Sequence, residues 1–379
     1  MILRTPLFYP QFHCIADKCT DTCCVGWEID IDEATLAKYR QYSKTGADQA
    51  RKAFGKKLLE NIEDGHFKLL PGDRCPFLKE NGLCDMICHL GVNGTDLDES
   101  GESILSNICR EHPRFVEVYG DIMEKGLGLC CEEAVRLLLT SPCHPRPDRG
   151  SSLLPLIESE IDEAPDEMPE GVEEARDAIF QERETIFGIL NNKSIPLNQR
   201  LLEVLDFAVA VSDYEEPEEP SLSEQAIHQT WIEILGEGES FGPAWDAAYE
   251  RMIRKGWPTT CHCEHSEAFA FSDDDGARIV AYLIFRYYAK SLFDGDGLTK
   301  VQFAIYFWIM LKQFGEELSA DSPAGASDLT RKINAVKLLS KQTEYSEEIM
   351  EILADNFFQN EVFCPGQFRN IISRMSSST

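Results

Sequence analysis

Ten of the fourteen cysteines of this chain lie within its first 131 residues, and the first four are closely spaced. Cys14, Cys19, Cys23 and Cys24 are separated by four, three and no residues. Thiols at this density indicate either a disulfide framework or a metal site. Because disulfide frameworks belong to small secreted chains that lack a core, and this chain has 379 residues, the cysteines predict metal or iron–sulfur binding.

The lengths of the apolar segments predict the cellular compartment. The N-terminus is interrupted by Pro6 and Pro10 and lacks the continuous apolar segment of a signal peptide. The most apolar stretch, 301–311, is shorter than a membrane span and is followed by Lys312. We therefore expect a cytoplasmic protein, in which reduced thiols are free to bind metal.

The charge of the chain restricts its partners. It has 36 Lys or Arg and 66 Asp or Glu, a net charge of −30. Such a surface repels phosphates and anionic lipid, so we expect neither nucleic acid nor membrane as a partner. A cationic partner, for example a protein whose lysines are the substrate, fits this charge better, although solubility alone also explains such acidity. No heptad seam is present, so we expect a monomer.

Three regions differ in composition and hydrophobic period. Residues 1–140 predict a cysteine-rich metal or iron–sulfur cluster domain of short elements, because metal ligands replace part of a core. Residues 141–225, with 21 acidic and 6 basic residues, predict an acidic helical connector. Residues 226–379 predict a helical C-terminal domain. The expected fold class is mainly α with short β hairpins.

Individual elements can be placed from caps and periodicity. The predicted N-terminal elements are helices from Asp30 or Asp32 to about Tyr42, at 47–62, 102–110 and 132–139, and strands at 66–70, 75–78 and 114–119. The predicted C-terminal helices are 224–235, 243–255, 276–293, 298–316, 327–342 and 345–359.

The cysteines and their neighbours resemble a known family. The segments that carry the resemblance are Phe12-His13-Cys14, residues 19–32, Cys75-Pro76-Phe77-Leu78, Gly82-Leu83-Cys84, Cys109 with Pro113-Arg114, and Leu129–Arg136. In this order they resemble the flagellin lysine-N-methylase family, within a wider group of zinc- or iron-chelating proteins marked by a CxxCxxCC-type motif. The resemblance is strong over about the first 140 residues and loose over the remainder.

The resemblance implies a set of metal ligands. The matching positions are Cys14, Cys19, Cys23, Cys24, Cys75, Cys84, Cys109 and Cys131. Four thiolates suit zinc or a [4Fe-4S] cluster, and we expect the cluster, with zinc as the alternative, because zinc sites more often have paired CxxC knuckles. Which four ligate, in one site or two, stays open, as does the choice between Cys130 and Cys131. Adjacent side chains diverge, so we expect Cys23 or Cys24 to point elsewhere.

The resemblance also implies a reaction, the transfer of a methyl group from S-adenosylmethionine to lysine side chains of flagellin. The chain has neither the glycine-rich turn of a Rossmann methyltransferase nor a Cys-x3-Cys-x2-Cys loop, and no catalytic residue can be named. Aromatic rings attract a sulfonium or an ammonium cation. The candidate cofactor-binding residues are Tyr9, Phe12, Trp27 and Tyr119.

Two alternatives remain open. The wider chelating group makes a non-catalytic iron- or zinc-binding protein possible, for metal delivery or as a metal-stabilised interaction module. A second candidate metal site is the segment Cys261-His262-Cys263-Glu264-His265, although its spacing lacks the separated second half of a zinc finger.

Overall fold

The chain forms two compact units of unequal size. The computed structural model describes residues 1–46, 49–90, 105–141, 145–146, 150–165, 168–169, 171–215, 223–257 and 270–375. We call His13–Phe115 the cysteine unit, and Met1–Phe12 together with Val116–Thr379 the helical unit.

The described chain contains eight strands and fifteen α-helices. The strands are β1 (Ile2–Pro6), β2 (Ile62–Glu63), β3 (His66–Phe67), β4 (Arg114–Tyr119), β5 (Ile122–Leu127), β6 (Pro145–Arg146), β7 (Gly150–Ser151) and β8 (Leu156–Glu160). The helices are α1 (Glu33–Thr45), α2 (Gln49–Glu60), α3 (Asp85–Leu90), α4 (Asn107–Glu111), α5 (Glu132–Thr140), α6 (Val172–Leu190), α7 (Leu197–Val211), α8 (Glu224–Glu233), α9 (Pro243–Lys255), α10 (Asp273–Tyr287), α11 (Ser291–Asp294), α12 (Gly297–Ser319), α13 (Asp328–Gln342), α14 (Glu347–Gln359) and α15 (Pro365–Arg374).

A four-stranded sheet joins the N-terminal strand of the chain to the helical unit. Its order is β4-β5-β1-β8, with β1 parallel to β5 and antiparallel to β8. Ile2 is opposite Ile122, and Leu3 is opposite Ser159. This pairing attaches the first twelve residues to the helical unit, so the two units differ from the three predicted regions, whose first boundary at residue 140 falls within the helical unit.

The helical unit is built around α12. Residues 301–311 of this helix are all buried, because α7, α9, α10, α13 and α14 pack around it. The apolar stretch noted in the sequence is therefore a core helix. No helix in the described ranges is long and apolar enough to cross a membrane.

A buried ion pair links the sheet to the helices of this unit. Glu124 on β5 and Arg183 on α6 have side chains that are 2% and 1% exposed. Arg183 donates from Nη1 to Glu124 Oε2 (2.8 Å), from Nη2 to Glu124 Oε1 (2.5 Å) and from Nη1 to the Phe285 carbonyl (3.2 Å). Both charged groups are paired, as burial requires.

The cysteine unit has a core of its own. Tyr39 and Tyr42 of α1 pack with Phe54 and Leu58 of α2 and with Phe77. Helix α1 begins where the sequence predicts, because Asp32 accepts a hydrogen bond from the Thr35 amide at 2.8 Å and so caps the helix.

The expectation of a mainly helical chain is confirmed, and the two-stranded antiparallel pairs β2–β3 and β6–β7 are accompanied by a small four-stranded sheet. Strand β4 and helix α9 have the predicted bounds. The predicted strand at 75–78 is wrong: this segment is a turn, in which the Leu78 amide donates to the Cys75 carbonyl (3.1 Å). Strands β1 and β8 and helix α15 were not predicted.

Candidate metal centre

Cys75 and Cys84 occupy similar local environments in the cysteine unit. The backbone amides of Phe77 and Leu78 lie near the Cys75 thiol and act to lower its pKa. The amides of Met86 and Ile87 act in the same way on the Cys84 thiol. In both cases the donors lie two and three residues after the cysteine. Amide groups directed at sulfur favour the thiolate, the form that binds metal.

The thiols of Cys23, Cys75, Cys84 and Cys109 lie close enough to influence one another electrostatically. Burial raises the pKa of Cys75 to about 11, with smaller contributions from Cys84 and Cys23. Burial also raises the pKa of Cys84, with smaller contributions from Cys23 and Cys88.

The fourth thiol belongs to Cys109, which lies on α4. Crowding of this thiol by protein raises its pKa to about 12, although the residue is partly exposed. The nearby Ser106 acts in the opposite direction, and Cys84, Cys75 and Cys23 raise the pKa further. All six pairs among Cys23, Cys75, Cys84 and Cys109 therefore interact.

Backbone pairing brings these distant cysteines together. The Cys75 amide donates to the Cys24 carbonyl (2.9 Å), and the Gly26 amide donates to the Asp73 carbonyl (3.0 Å). These bonds align the segment that carries Cys23 with the turn that carries Cys75. Helix α4 brings Cys109, and its Asn107 side chain donates to Asp32 Oδ2 at 3.1 Å.

The four thiols are neighbours but do not share a coordination sphere as their side chains stand. Among the described residues, no group of three or more His, Cys, Asp or Glu side chains is arranged to hold a metal ion. The prediction of a metal or iron–sulfur domain therefore stays a prediction.

The other predicted ligands of this unit are placed differently. Cys24 packs against the apolar core of this unit, to which Cys75 and Cys84 also belong. Cys14 is exposed, and Cys19 is half-buried at the end of the 3-10 turn Ala16–Lys18. Cys88 is exposed and lies one helical turn after Cys84.

Cys131 belongs to the helical unit, at the N-cap position of α5, and is half-buried. Its neighbour Cys130 is buried and its thiol is hydrogen-bonded to the Tyr345 hydroxyl. Cys131 is thus the more accessible thiol of the pair.

The four candidate aromatic residues are distributed over both units. Tyr119 is 1% exposed and its ring lies against those of Phe180 and Phe293, with centroid distances of 5.6 and 5.8 Å. Phe12 is buried and Tyr9 is half-buried, both in the helical unit. Trp27 lies in the cysteine unit, half-buried, with its ring edge-on to His112 at 5.2 Å.

Some contributors to this centre were missed in the sequence. Ser106 acts to lower the pKa of the Cys109 thiol, and the backbone amides after Cys75 and Cys84 act in the same way on those two thiols. A serine three residues before a cysteine, at the start of a helix, was the available signal for Ser106. The segment 261–265 and Cys143 lie outside the described residues.

Comparisons with known proteins identify three relatives. The chain is 31% identical over 140 residues to the flagellar biosynthetic protein FliU of Salmonella muenchen, a match covering 36% of this chain and 76% of that protein. It is 30% identical over 139 residues to lysine-N-methylases of Salmonella choleraesuis and Salmonella typhimurium, which covers 36% of this chain but only 32% of each relative. No family model matches the chain. No solved structure matches it either.

Proposed function

The chain belongs to the family that contains FliU and the lysine-N-methylases, and from this premise we propose that it methylates lysine side chains of flagellin. The identity over three quarters of FliU is the observation that carries the proposal. The proposed methyl donor is S-adenosylmethionine, and the proposed compartment is the cytoplasm, where flagellin is made.

We further propose that the enzyme depends on a [4Fe-4S] cluster, with zinc as the alternative. Cys23, Cys75, Cys84 and Cys109 would be its ligands, because their thiols lie close enough to influence one another and the backbone amides after Cys75 and Cys84 favour the thiolate. Such donors offset the negative charge of metal-bound thiolates. The donor set is all sulfur, which suits either group. When bound, this group would stabilise and organise the cysteine unit.

The chemistry of the step defines what the protein must supply. A lysine ammonium, with a pKa of about 10.4 in water, must lose a proton before its Nζ can attack the sulfonium methyl. The C–N bond then forms as the C–S bond breaks, and no radical is needed. Trp27 is the one candidate aromatic residue on the cysteine unit, and we propose that it contacts the donor or the lysine cation.

The test of the function uses anaerobically purified protein. Incubation with flagellin and methyl-labelled S-adenosylmethionine should give labelled lysine, detected by mass spectrometry. Intact metal content without labelled lysine would instead favour a metal-binding interaction module. Trp27→Ala should reduce labelling without reducing metal content; unchanged labelling would remove Trp27 from the pocket.

The ligand set is tested by metal, iron and sulfide analysis of cysteine variants. Cys75→Ser and Cys84→Ser should each lose most of the bound metal. Cys88→Ser is the matched control, because Cys88 lies one helical turn from Cys84 and is not one of the four proposed ligands. Zinc without iron in the wild-type protein would overturn the cluster assignment. Full metal content in Cys75→Ser would overturn the ligand set.

A further inference from the structure

The helix pair α1 and α2 of the cysteine unit has a charge opposite to that of the chain as a whole. Together these two helices contain seven Lys or Arg and two Glu, whereas the rest of the chain contains 29 basic and 64 acidic residues. These two helices are therefore basic, although the chain as a whole has a net charge of −30.

Four of these cations form no ion pair with a residue that the structure describes. Most described Lys and Arg side chains in the chain are paired, as Arg176, Arg183 and Arg251 are. On the helix pair, the cations without an ion pair to any described residue are Arg40, Lys44, Lys52 and Lys56. Lys52 is half-buried and the other three are exposed.

The close approach of the two helices fixes their relative orientation. A Cβ atom on Gly55 would lie 2.7 Å from the Ser43 nitrogen, so these residues face each other. A Cβ atom on Gly46 would lie 3.1 Å from the Lys52 nitrogen. Later residues of α1 thus meet earlier residues of α2, and the helices are antiparallel.

Helical periodicity then places all four cations on one face of the pair. Each residue is rotated by about 100° from the previous one. On α1, Arg40 and Lys44 lie about 60° and 100° from the Ser43 direction, and on α2, Lys52 and Lys56 have the same offsets from Gly55. In an antiparallel pair these equal offsets point to the same side.

The buried residues of both helices lie on the opposite side. Tyr39 and Tyr42 of α1, and Phe54 and Leu58 of α2, are offset in the other sense and form the core of the unit. The basic face, defined by Arg40, Lys44, Lys52 and Lys56, therefore lies on the side of the helix pair opposite the core of the unit.

We propose that the basic face binds an acidic segment of the protein substrate. This rests on the proposed function for the identity of the substrate. With helix axes roughly 8–10 Å apart and a rise of about 1.5 Å per residue, the face spans about 10 Å, enough for two to four carboxylates. A nucleic acid would need a longer basic track and would meet the acidic remainder of the chain. The attraction acts within about 8 Å at physiological salt, so the distant acidic surface is largely screened.

The experiment measures fluorescence anisotropy of a labelled glutamate-rich peptide with the full-length holoprotein at low salt. The acidic peptide should bind and its glutamine counterpart should not, and added salt should weaken binding. Arg40→Glu with Lys56→Glu should weaken binding by roughly tenfold or more, because two attractive contacts become repulsive. Arg40→Gln with Lys56→Gln should weaken it less, and thermal melting confirms that each variant is folded.

The matched control is Lys18→Glu with Lys68→Glu. It changes the net charge of the cysteine unit by the same amount as Arg40→Glu with Lys56→Glu, and it should leave the affinity for the acidic peptide within about twofold of the wild-type value. Equal losses in both variants, or no binding of the acidic peptide, would overturn the proposal. So would stronger competition by an oligonucleotide than by the acidic peptide. Peptide binding requires no methyl transfer. If the proposed enzymatic function is wrong, the protein should still bind the acidic peptide but should give no labelled lysine.

Discussion

Replacing Arg183 with methionine should destabilise the helical unit strongly. The change removes two hydrogen bonds to the Glu124 carboxylate and one to the Phe285 carbonyl. It also leaves the Glu124 carboxylate, which is 2% exposed, without its counter-ion.

The magnitude follows from this burial. Removing one partner of a buried ion pair costs about 3–5 kcal/mol, mainly because the remaining charge is uncompensated. For a unit of more than 200 residues, 1 kcal/mol corresponds to about 2 °C in melting temperature. Arg183→Met should therefore lower the melting temperature of the helical unit by roughly 6–10 °C.

Tryptophan fluorescence is a suitable assay, because four of the five tryptophans lie in the helical unit and only Trp27 lies in the cysteine unit. The double variant Glu124→Leu with Arg183→Met should recover most of the loss, since no charge is then left unpaired. A melting temperature within 2 °C of wild type for Arg183→Met, or a double variant less stable than the single one, would refute this reasoning.

Three further predictions concern the cysteine unit. Gly55→Ala should destabilise it by about 1–3 kcal/mol in denaturant unfolding, because the new Cβ meets the Ser43 backbone. Helix propensity alone would instead raise the stability, so a variant as stable as wild type or more stable would contradict the close contact between α1 and α2. Asp32→Ala should cost about 1 kcal/mol at neutral pH by removing the cap of α1. Because hydrogen bonds from Thr35 lower the pKa of Asp32 below 3.8, its contribution should be lost as pH falls through that lowered value, so melting curves of both proteins should converge in strong acid. In metal-free protein, the pKa values of Cys75 and Cys109 are raised from an ordinary 9.0 to about 11 and about 12. The thiols of the unfolded chain therefore ionise first, and the stability of the folded protein should fall as the pH rises above about 9. A Cys75→Ala, Cys109→Ala variant should show a weaker decline in melting temperature over this pH range.

Local signals in the sequence were sufficient for elements that carry their own caps and periodicity. Helix α1 begins after the Asp32 cap, and α9 begins at Pro243 and ends before Gly256, as predicted. Strand β1 escaped prediction because its partners lie about 120 and 155 residues away in the chain. A five-residue segment interrupted by proline gives no local sign of such pairing.

The sequence indicated a concentration of cysteines in the first third of the chain but not the surroundings of each thiol. It could not show that Cys24 packs on the apolar core or that Cys130 lies beside Tyr345, because both depend on tertiary contacts. The basic face was also missed, because it emerges only when Gly55 and Ser43 place two helices side by side.

The insertion of the cysteine unit between β1 and β4 has a consequence for synthesis on the ribosome. All residues of this unit are translated before the first residue of β5, the strand that pairs with β1, and well before β8. Since compact units fold as they emerge, we expect the thiols to gather while β1 is still without partners. Delivery of an inorganic ion to the nascent chain can therefore precede closure of the sheet, and a ribosome stalled near residue 150 should already display a chain that binds metal.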